Sequence, residues 1–147
     1  MEIERKFLVK TIPCLEGLKS AKIEQGYISY EPETRIRKMN NEYYLTKKGE
    51  GTLVREEEEI KVSECEGERY FDKVISRLIQ KTRYYIPYGK YTVELDIYEG
   101  ELKGLVVAEV EFKSVDEAME FSTPEWFSDD ISEKTEYRNK ILSKKDH

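Results

Sequence analysis

The sequence has few of the residues that usually carry catalysis in small enzymes. Its only histidine is His147, which excludes a Ser/His/Asp or Cys/His nucleophilic apparatus and a histidine-based zinc site. Cys14 and Cys65 are far apart in sequence and outside any CxxC spacing, which predicts two reduced thiols and no metal or redox motif. Catalysis by this chain would therefore use carboxylates, cations and metal ions.

Long apolar runs and an excess of positive charge are also missing. No apolar run approaches the ~18 residues of a membrane span, and charged residues follow Met1 where a secretion signal would have its apolar core. The formal net charge of -6 predicts no general nucleic-acid footprint, so a polyanion would need a local basic pocket. We therefore expect a cytoplasmic protein without membrane or nucleic acid as a general partner.

The composition favours a folded sheet protein. Charged residues make up 38% of the chain, which would suit a disordered protein, but the 12% of aromatic residues are spread over alternating segments. The length of 147 residues fits one domain with a core of ordinary size. We assign residues 1–147 to a single domain.

Alternation of charged and apolar residues predicts eight strands. In the first of them, Glu2, Glu4 and Lys6 share one face, whereas Ile3 and Phe7 share the other. Short turn signals connect most of the segments, which favours antiparallel hairpins. The predicted strands are Glu2–Val9, Lys22–Tyr30, Thr34–Met39, Glu42–Lys48, Thr52–Val62, Gln80–Pro87, Lys90–Tyr98 and Leu105–Phe112.

Three helices are predicted as well. Apolar residues spaced four apart from Tyr70 to Ile79 predict a helix of roughly three to four turns. Ser114 and Glu117 form a capping-box pattern that begins a short helix ending at Phe121, and a last helix spans about Glu133–Ser143. The expected fold class is α+β, dominated by one antiparallel β-barrel.

Charged residues recur at positions i and i+2 in strand after strand, which places each pair on one face of its strand. A charged face is usually a solvated surface, and for any single strand that is the better interpretation. Here the pairs are mainly of one sign, and like charges roughly 7 Å apart repel unless something binds them. The residues concerned are Glu2, Glu4, Lys6, Arg35, Arg37, Lys48, Arg55, Glu57, Glu59, Lys81, Arg83, Glu94, Asp96, Glu109 and Glu111.

These pairs combine two kinds of chemistry. Carboxylate pairs are hard oxygen ligands for Mg²⁺ or Mn²⁺, whereas paired arginines and lysines bind phosphate oxygens. Both kinds in one sheet indicate a metal ion bound to a phosphate chain. Because the opposite strand faces are apolar and can be covered by helices from outside, the barrel is predicted to have a polar interior.

An ordered series of motifs resembles the triphosphate tunnel metalloenzymes of the CYTH superfamily, beginning with Glu2-Ile3-Glu4-Arg5-Lys6, which is similar to that family's ExExK signature. The resemblance implies an eight-stranded antiparallel tunnel that holds a triphosphate along its axis with a divalent metal. It also implies a C-terminal plug helix at one tunnel mouth. The further matching segments are Gln25-Gly26-Tyr27, Arg35-Ile36-Arg37, Thr46-Lys47-Lys48-Gly49, Arg55 with Glu57 and Glu59, Lys81-Thr82-Arg83, Glu94-Leu95-Asp96, Gly104-Leu105, Ala108-Glu109-Val110-Glu111, and Thr135, Tyr137 and Asn139.

The resemblance implies a role for each group of charged residues. The metal-binding carboxylates are Glu2, Glu4, Glu109 and Glu111, with Glu94 and Asp96 as a further acidic pair. The phosphate-binding cations are Lys6, Arg35, Arg37, Lys48, Lys81 and Arg83, to which we add Arg55. Glu57 and Glu59 match a pair associated with a second metal or the attacking water, and we expect them to be catalytic together with Lys6.

The expected function is metal-dependent hydrolysis of a triphosphate, most simply of inorganic tripolyphosphate to pyrophosphate and phosphate. One or two Mg²⁺ or Mn²⁺ ions would serve a monomer or homodimer. A class IV adenylyl cyclase would share the tunnel, but the sequence lacks that group's histidine-containing signature. Thiamine and nucleoside triphosphatases are alternatives, because specificity would depend on loops. A noncatalytic polyphosphate-binding module is a further alternative, but it would lack the carboxylate pairs, which are present here.

Overall fold

The computed structural model describes residues 2–49 and 54–143, which form ten strands and three short α-helices. The strands are β1 (Glu2–Val9), β2 (Ser20–Tyr30), β3 (Glu33–Met39), β4 (Glu42–Lys48), β5 (Val54–Arg55), β6 (Glu57–Val62), β7 (Ile79–Tyr88), β8 (Tyr91–Glu99), β9 (Val106–Glu111) and β10 (Phe127–Asp130). The α-helices are α1 (Glu64–Phe71), α2 (Val115–Glu120) and α3 (Asn139–Leu142), with 3-10 turns at Gly100–Leu102 and Thr135–Tyr137. The predicted antiparallel, β-rich fold with few helices is confirmed.

The strands form one antiparallel sheet in the order β10, β1, β9, β8, β7, β2, β3, β4, β6. The predicted fifth strand, whose first residue Thr52 lies outside the described residues, is divided at Glu56 because its two parts have different partners. In β5, Arg55 lies opposite Glu2 of β1, whereas β6 pairs with β4. No ladder joins β6 to β1 within the described residues, so the sheet is not closed there into the predicted eight-stranded barrel.

Strand β10 was not predicted from the sequence. It has only four residues, and its sequence Phe127-Ser128-Asp129-Asp130 lacks the alternation that marks a strand. It forms because it lies against β1, where Asp130 pairs with Phe7 and Phe127 with Val9. A long-range partner of this kind cannot be found from a local pattern.

The outer face of the sheet contains the larger apolar core. Phe7, Leu95 and Val110 are at most 1% exposed and pack with neighbouring apolar residues of β8 and β9. Helix α2 covers this core through the buried Ala118, and Ser114 caps the helix by accepting a hydrogen bond from the Glu117 amide at 3.1 Å. The predicted arrangement of apolar residues outside and charged residues inside holds for these strands.

The helix predicted from Tyr70 to Ile79 is wrong in position. Helix α1 begins directly after its N-cap Ser63, which forms a capping box with Glu66, and ends at Phe71. Val74 and Leu78 belong to the loop between α1 and β7 and approach β2, where a Cβ atom on Gly26 would lie only 2.6 Å from Val74 Cγ1. The residues spaced four apart are therefore divided among the end of α1, a loop and the start of β7, and do not form one helix.

Residues 131–143, here called the C-terminal strap, replace the single long helix predicted over Glu133–Ser143. The strap contains a 3-10 turn and α3. At its beginning, the Ile131 amide donates to the Lys6 carbonyl at 2.8 Å. At its end, Arg77 Nε donates to the Leu142 carbonyl at 2.8 Å, and the Arg77 amide donates to the Ser143 carbonyl at 3.0 Å. The strap thus links β1 to the segment that precedes β7. Over the described ranges, 2–49 and 54–143, no helix is long and apolar enough to cross a membrane.

Candidate functional site

The inward faces of the strands enclose a polar cavity of about 190 Å³. Most of the predicted site residues line it together, including Lys48, whereas its neighbour Lys47 is exposed. Asp96 is not among the lining residues, and the side chain of Arg55 lies outside the described residues. The lining consists of Glu2, Glu4, Lys6, Gln25, Tyr27, Glu33, Arg35, Arg37, Lys48, Glu57, Glu59, Lys81, Arg83, Glu94, Glu109, Glu111 and Arg138.

Strand register separates the charges into two walls. We call Glu2, Glu4, Glu109 and Glu111 of β1 and β9 the acidic wall, and Arg35, Arg37, Lys81 and Arg83 of β3 and β7 the basic wall. In the acidic wall, pairing of β1 with β9 sets Glu4 opposite Glu111 and Lys6 opposite Glu109. These pairs adjoin because both residues of a directly opposed pair point to the same face.

The carboxylates of the acidic wall crowd one another. Burial, followed by the charges of Glu109 and Glu2, raises the pKa of Glu4 to about 8. Burial also disfavours the charged form of Glu109, but Lys6 and Arg83 outweigh it and hold the pKa of that carboxyl well below its usual range. The Lys6 ammonium lies 3.6 Å from Glu109 Oε1. The wall therefore has more negative charge than its own cations neutralise around Glu4.

A smaller cluster joins the acidic wall to β4 and β6. Lys48 Nζ lies 3.1 Å from Glu2 Oε1 and 4.0 Å from Glu57 Oε1. Burial and a hydrogen bond shared with Glu2 raise the pKa of Glu57. Burial and the nearby Arg35 lower the pKa of Lys48. Glu57 is thus a stronger base than an ordinary surface glutamate.

The buried carboxylate of Asp96 contacts two cations of the basic wall, Lys81 and Arg83. This side chain is 0% exposed, and its Oδ2 lies 2.7 Å from Lys81 Nζ. Arg83 binds both of its oxygens, with Nε at 2.8 Å and Nη2 at 3.0 Å. Burial disfavours the charge on Asp96, but Lys81 and Arg83 outweigh it and lower the pKa of the carboxyl. Asp96 therefore orients two cations towards the cavity and does not face the cavity itself.

Three buried donor atoms that face the cavity have no hydrogen-bond acceptor among the described residues. Gln25 is 1% exposed, and its Nε2 has no hydrogen-bond partner within residues 2–49 and 54–143. The same holds for Nε of Arg35 and of Arg37, although Arg37 Nη2 donates to Glu59 Oε1 at 2.8 Å. A buried donor without an acceptor costs about 1–3 kcal/mol, so this arrangement suits an anion that supplies the missing oxygens.

The acidic wall fits a divalent cation that is held only partly by protein. In the described part of the chain, no three acidic, histidine or cysteine side chains form a ready-made metal cage. Mg²⁺ is usually bound through one or two carboxylates together with waters and substrate phosphates. The raised pKa of Glu4 marks the place where a cation would relieve repulsion among carboxylates. The donor set is therefore hard and anionic, and incomplete without phosphate oxygens.

Four lining residues were not predicted as site residues. Glu33 continues the inward row of Arg35 and Arg37, and it was missed because the predicted strand began one residue later. Gln25 and Tyr27 were recognised only as part of a motif, since uncharged residues give no like-charge signal. Arg138 lies on the strap, where no strand pattern applies. The side chains of the motif residues Thr135 and Asn139 lie outside the described residues.

Comparison with known proteins gives consistent matches along the chain. A model of the CYTH domain family matches residues 1–145. The chain is 40% identical to the inorganic triphosphatase of Nitrosomonas europaea, over 97% of this chain and 96% of that protein. It is 33% identical to the inorganic triphosphatase of Acetivibrio thermocellus, over 97% and 93% of the two chains. The crystal structure of the inorganic triphosphatase NE1496 superposes with a TM-score of 0.73 at 36% identity, covering 97% of this chain and 94% of that chain.

Proposed function

The chain belongs to the CYTH family, and from that premise we propose that it is an inorganic triphosphatase that hydrolyses tripolyphosphate to pyrophosphate and phosphate. One observation carries the proposal. A single cavity joins a crowded acidic wall to a basic wall in which Nε of Arg35 and Nε of Arg37 lack acceptors among the described residues. A metal-bound phosphate chain supplies what both walls lack, positive charge for one and oxygen acceptors for the other.

The basic wall would bind the phosphate oxygens. Arginine presents a planar fork that matches phosphate, and Lys81 adds a point charge. Lys6 of β1 and Lys48 of β4 would add further cations to the cavity. Gln25 would contribute an uncharged donor through Nε2. Arg55 remains a predicted phosphate ligand, because β5 pairs with β1 beside Glu2 but the side chain is outside the described residues.

The acidic wall would hold one Mg²⁺ or Mn²⁺ ion together with phosphate oxygens. The ion would supply charge neutralisation for the transferred phosphoryl group. Glu94, which lines the cavity, is available as a further ligand, and burial raises its pKa. Asp96 was predicted from the sequence as a metal ligand. We instead propose that it positions Lys81 and Arg83, because its oxygens contact those two side chains.

Glu57 and Glu59 would orient and deprotonate the attacking water. The water oxygen bonds to the terminal phosphorus, the bridging P–O bond breaks, and the bridging oxygen leaves with pyrophosphate. The water proton passes to a carboxylate, for which Glu57 is suited by its raised pKa. Lys6, 3.6 Å from Glu109, would stabilise the negative charge that develops on the phosphoryl oxygens.

We further propose that the working enzyme is an eight-stranded tunnel with the C-terminal strap as its plug. The pairing of β5 with β1 and of β6 with β4 supports this. The two strands follow each other directly in the chain, so one segment contacts both β1 and β4, which a closed barrel would bring together. A single domain, a cytoplasmic location, a monomer or homodimer, and the lack of nucleic-acid and membrane partners remain predictions.

The test is an assay of phosphate and pyrophosphate release from tripolyphosphate, ATP, GTP and thiamine triphosphate. Each substrate is assayed with Mg²⁺, with Mn²⁺ and with excess EDTA. We expect the highest kcat/KM for tripolyphosphate and no turnover in EDTA. Glu4→Gln, purified in parallel, controls for contaminating phosphatases. Turnover that persists in EDTA, or a higher kcat/KM for a nucleotide, would overturn the proposal.

A further inference from the structure

An open groove lies between the hairpin of β7 and β8 and helix α2. It consists of two adjoining cavities of about 440 and 410 Å³, which share Lys90, Tyr91 and Glu117 as lining residues, and we call it the tyrosine groove. Glu94 and Glu111 line both its larger cavity and the charged cavity of the candidate site. The groove therefore has the size of a small-molecule site and adjoins the place where the phosphate chain is proposed to bind.

Aromatic rings form much of the wall of this groove. Phe121 packs edge-to-face against Tyr88 and Tyr91, with ring centroids 5.9 and 5.4 Å apart. The Tyr88 hydroxyl donates to the Ser122 carbonyl at 3.1 Å, and the Tyr91 hydroxyl donates to Glu117 Oε1 at 3.0 Å. The rings are thus fixed before a ligand binds, and aromatic faces attract ammonium groups.

The chain itself already places one ammonium group in the tyrosine groove. Lys90 Nζ lies 5.4 Å from the centroid of the Tyr91 ring and 3.7 Å from Glu117 Oε1. The Lys90 side chain is 69% exposed, and ion pairs of such exposed groups are weak, so another cation can displace it. Among the described residues, carboxylates outnumber ammonium groups in the lining, which contains Glu94, Glu111, Glu117 and Glu120 against Lys90 and Lys113.

The lining favours an organic cation over a metal ion. Mg²⁺ requires near-octahedral coordination by oxygen atoms, whereas the groove offers aromatic rings as well as carboxylates. An aliphatic amine packs its methylene groups on the rings and keeps its ammonium groups beside the carboxylates. The carboxylates occur at two places, Glu117 and Glu120 on α2 and Glu94 and Glu111 at the charged cavity. A ligand with several ammonium groups separated by methylene chains therefore matches this lining.

We propose that the tyrosine groove binds a linear aliphatic polyamine, and that the bound amine strengthens binding of the phosphate chain in the adjoining cavity. An ammonium group beside Glu94 and Glu111 offsets negative charge that otherwise repels an incoming phosphate chain. The effect on the substrate rests on the proposed triphosphatase function, whereas binding of the amine does not.

The first measurement is isothermal titration calorimetry of spermidine with the full chain, freed of metal by dialysis and without any phosphate ligand. Glu117→Gln should weaken spermidine binding by up to ~5-fold, as expected for the loss of one exposed ion pair. Tyr91→Leu should weaken it ~2–5-fold, as expected for the loss of one cation–π contact. Lys90→Gln should strengthen it ~2–5-fold, because this change removes the ammonium group that competes with the ligand.

Glu42 and Lys61 provide a matched control pair outside the groove. Glu42 Oε1 lies 3.3 Å from Lys61 Nζ, and Glu42 accepts a hydrogen bond from the Tyr44 hydroxyl, as Glu117 does from Tyr91. Glu42→Gln and Lys61→Gln change the net charge by the same amounts as Glu117→Gln and Lys90→Gln, so they reveal nonspecific attraction of a polycation. Both control variants should bind spermidine as the wild type does.

The second measurement is the KM for tripolyphosphate at a fixed concentration of free Mg²⁺, with and without spermidine. Spermidine should lower the KM of the wild type and should have less effect on Glu117→Gln. Complexes of spermidine with tripolyphosphate in solution are the same for all variants, so the comparison between variants isolates the contribution of the groove.

The outcomes separate this inference from the proposed function. Spermidine affinities that change equally in the groove variants and the control variants overturn the amine site, as does tighter binding of a tetralysine peptide, which would assign the groove to a protein partner. Amine binding in the groove with the same KM response in wild type and Glu117→Gln overturns the effect on the substrate. A wild type that binds spermidine in the groove but hydrolyses no tripolyphosphate contradicts the proposed function alone. If Tyr91→Leu does not fold, the surface changes Glu117→Gln and Lys90→Gln decide the question.

Discussion

The acidic and basic walls face each other across one cavity, but the protein supports their charges in different ways. In the basic wall, Lys81 and Arg83 already have a buried counterion, Asp96, with contacts of 2.7–3.0 Å. In the acidic wall, burial and neighbouring carboxylates raise the pKa of Glu4 to about 8. Lys81 and Arg83 of the basic wall are thus preorganised before any ligand arrives, whereas the acidic wall needs a cation to become fully charged.

This difference predicts that the two walls gain different amounts of free energy when a ligand binds. A preorganised cation pair loses little conformational freedom when it binds an anion, since Asp96 already fixes the geometry of both side chains. Crowded carboxylates gain most when a divalent ion removes their repulsion. The four changes below test the comparison, beginning with the one that should have the largest effect.

Replacing Asp96 should damage the basic wall most. Asp96→Asn removes the buried carboxylate that Lys81 and Arg83 share, and breaking a buried ion pair costs about 3–5 kcal/mol. We expect the free energy of unfolding, measured by urea denaturation, to fall by that amount together with tripolyphosphate affinity. Glu94→Gln is the matched control, because Glu94 makes a single 3.2 Å contact with Arg83 and is 31% exposed. Equal stability of the two variants would show that Asp96 does not support the wall.

Replacing Glu57 or Glu59 should lower kcat more than it lowers the affinity for tripolyphosphate. Glu57 and Glu59 belong to β6, which pairs with β4 on the side of the basic wall. Glu57→Gln and Glu59→Gln should lower kcat roughly 100-fold, as for loss of a general base, while leaving tripolyphosphate binding largely intact. Calorimetry with a nonactivating cation measures the binding. If both variants lose affinity as severely as Glu4→Gln, all of these carboxylates serve the metal.

The acidic wall should make the metal-free protein less stable at alkaline pH. The pKa of Glu4 is about 8 in the folded protein against an ordinary 4.5, so the folded state holds this proton longer than the unfolded state. The free energy of unfolding should therefore fall as pH rises from 4.5 to about 8. Glu4→Gln removes this dependence and should gain roughly 2 kcal/mol over wild type at alkaline pH, which allows for partial solvent contact.

Thermal or urea unfolding in EDTA at several pH values measures the effect. Adding Mg²⁺ should stabilise the wild type at alkaline pH and should have less effect on Glu4→Gln, because the cation binds through the charged carboxylate. A wild type and a variant with parallel pH profiles would contradict the assignment of Glu4 to a crowded acidic wall.

Gln25 should have the smallest effect. Gln25→Leu removes the unpartnered Nε2 donor while keeping a similar size, so the free protein should lose no stability. Affinity for tripolyphosphate should fall by about 1.5 kcal/mol, the lower end of the range for one hydrogen bond to a charged acceptor. The ratio of KM between variant and wild type measures this change. An unchanged KM would place Gln25 away from the phosphate chain.

Predictions from strand alternation were the most accurate. The limits of β1 and the inward faces of β3, β7, β8 and β9 agree with the structure, because a period of two is a property of the local backbone. Predictions that required knowledge of partners were less accurate. Helix α1 was placed too late, β10 was missed, and the long terminal helix is a strap with two short helical turns. The capping box of Ser63 and Glu66 sets the start of α1, whereas pairing with β1 forms β10 and hydrogen bonds to Lys6 and Arg77 hold the strap.

The sequence by itself determined which residue types share a strand face, and hence that carboxylate and cation pairs would be gathered inside a sheet. Only the tertiary structure decided which inward residue supports the cavity from behind and which lines it. Asp96 contacts two cations of the neighbouring strand and does not line the cavity. Arg138 lines the cavity although it belongs to the strap. Both outcomes depend on strand order, register and long-range hydrogen bonds, which no local pattern encodes.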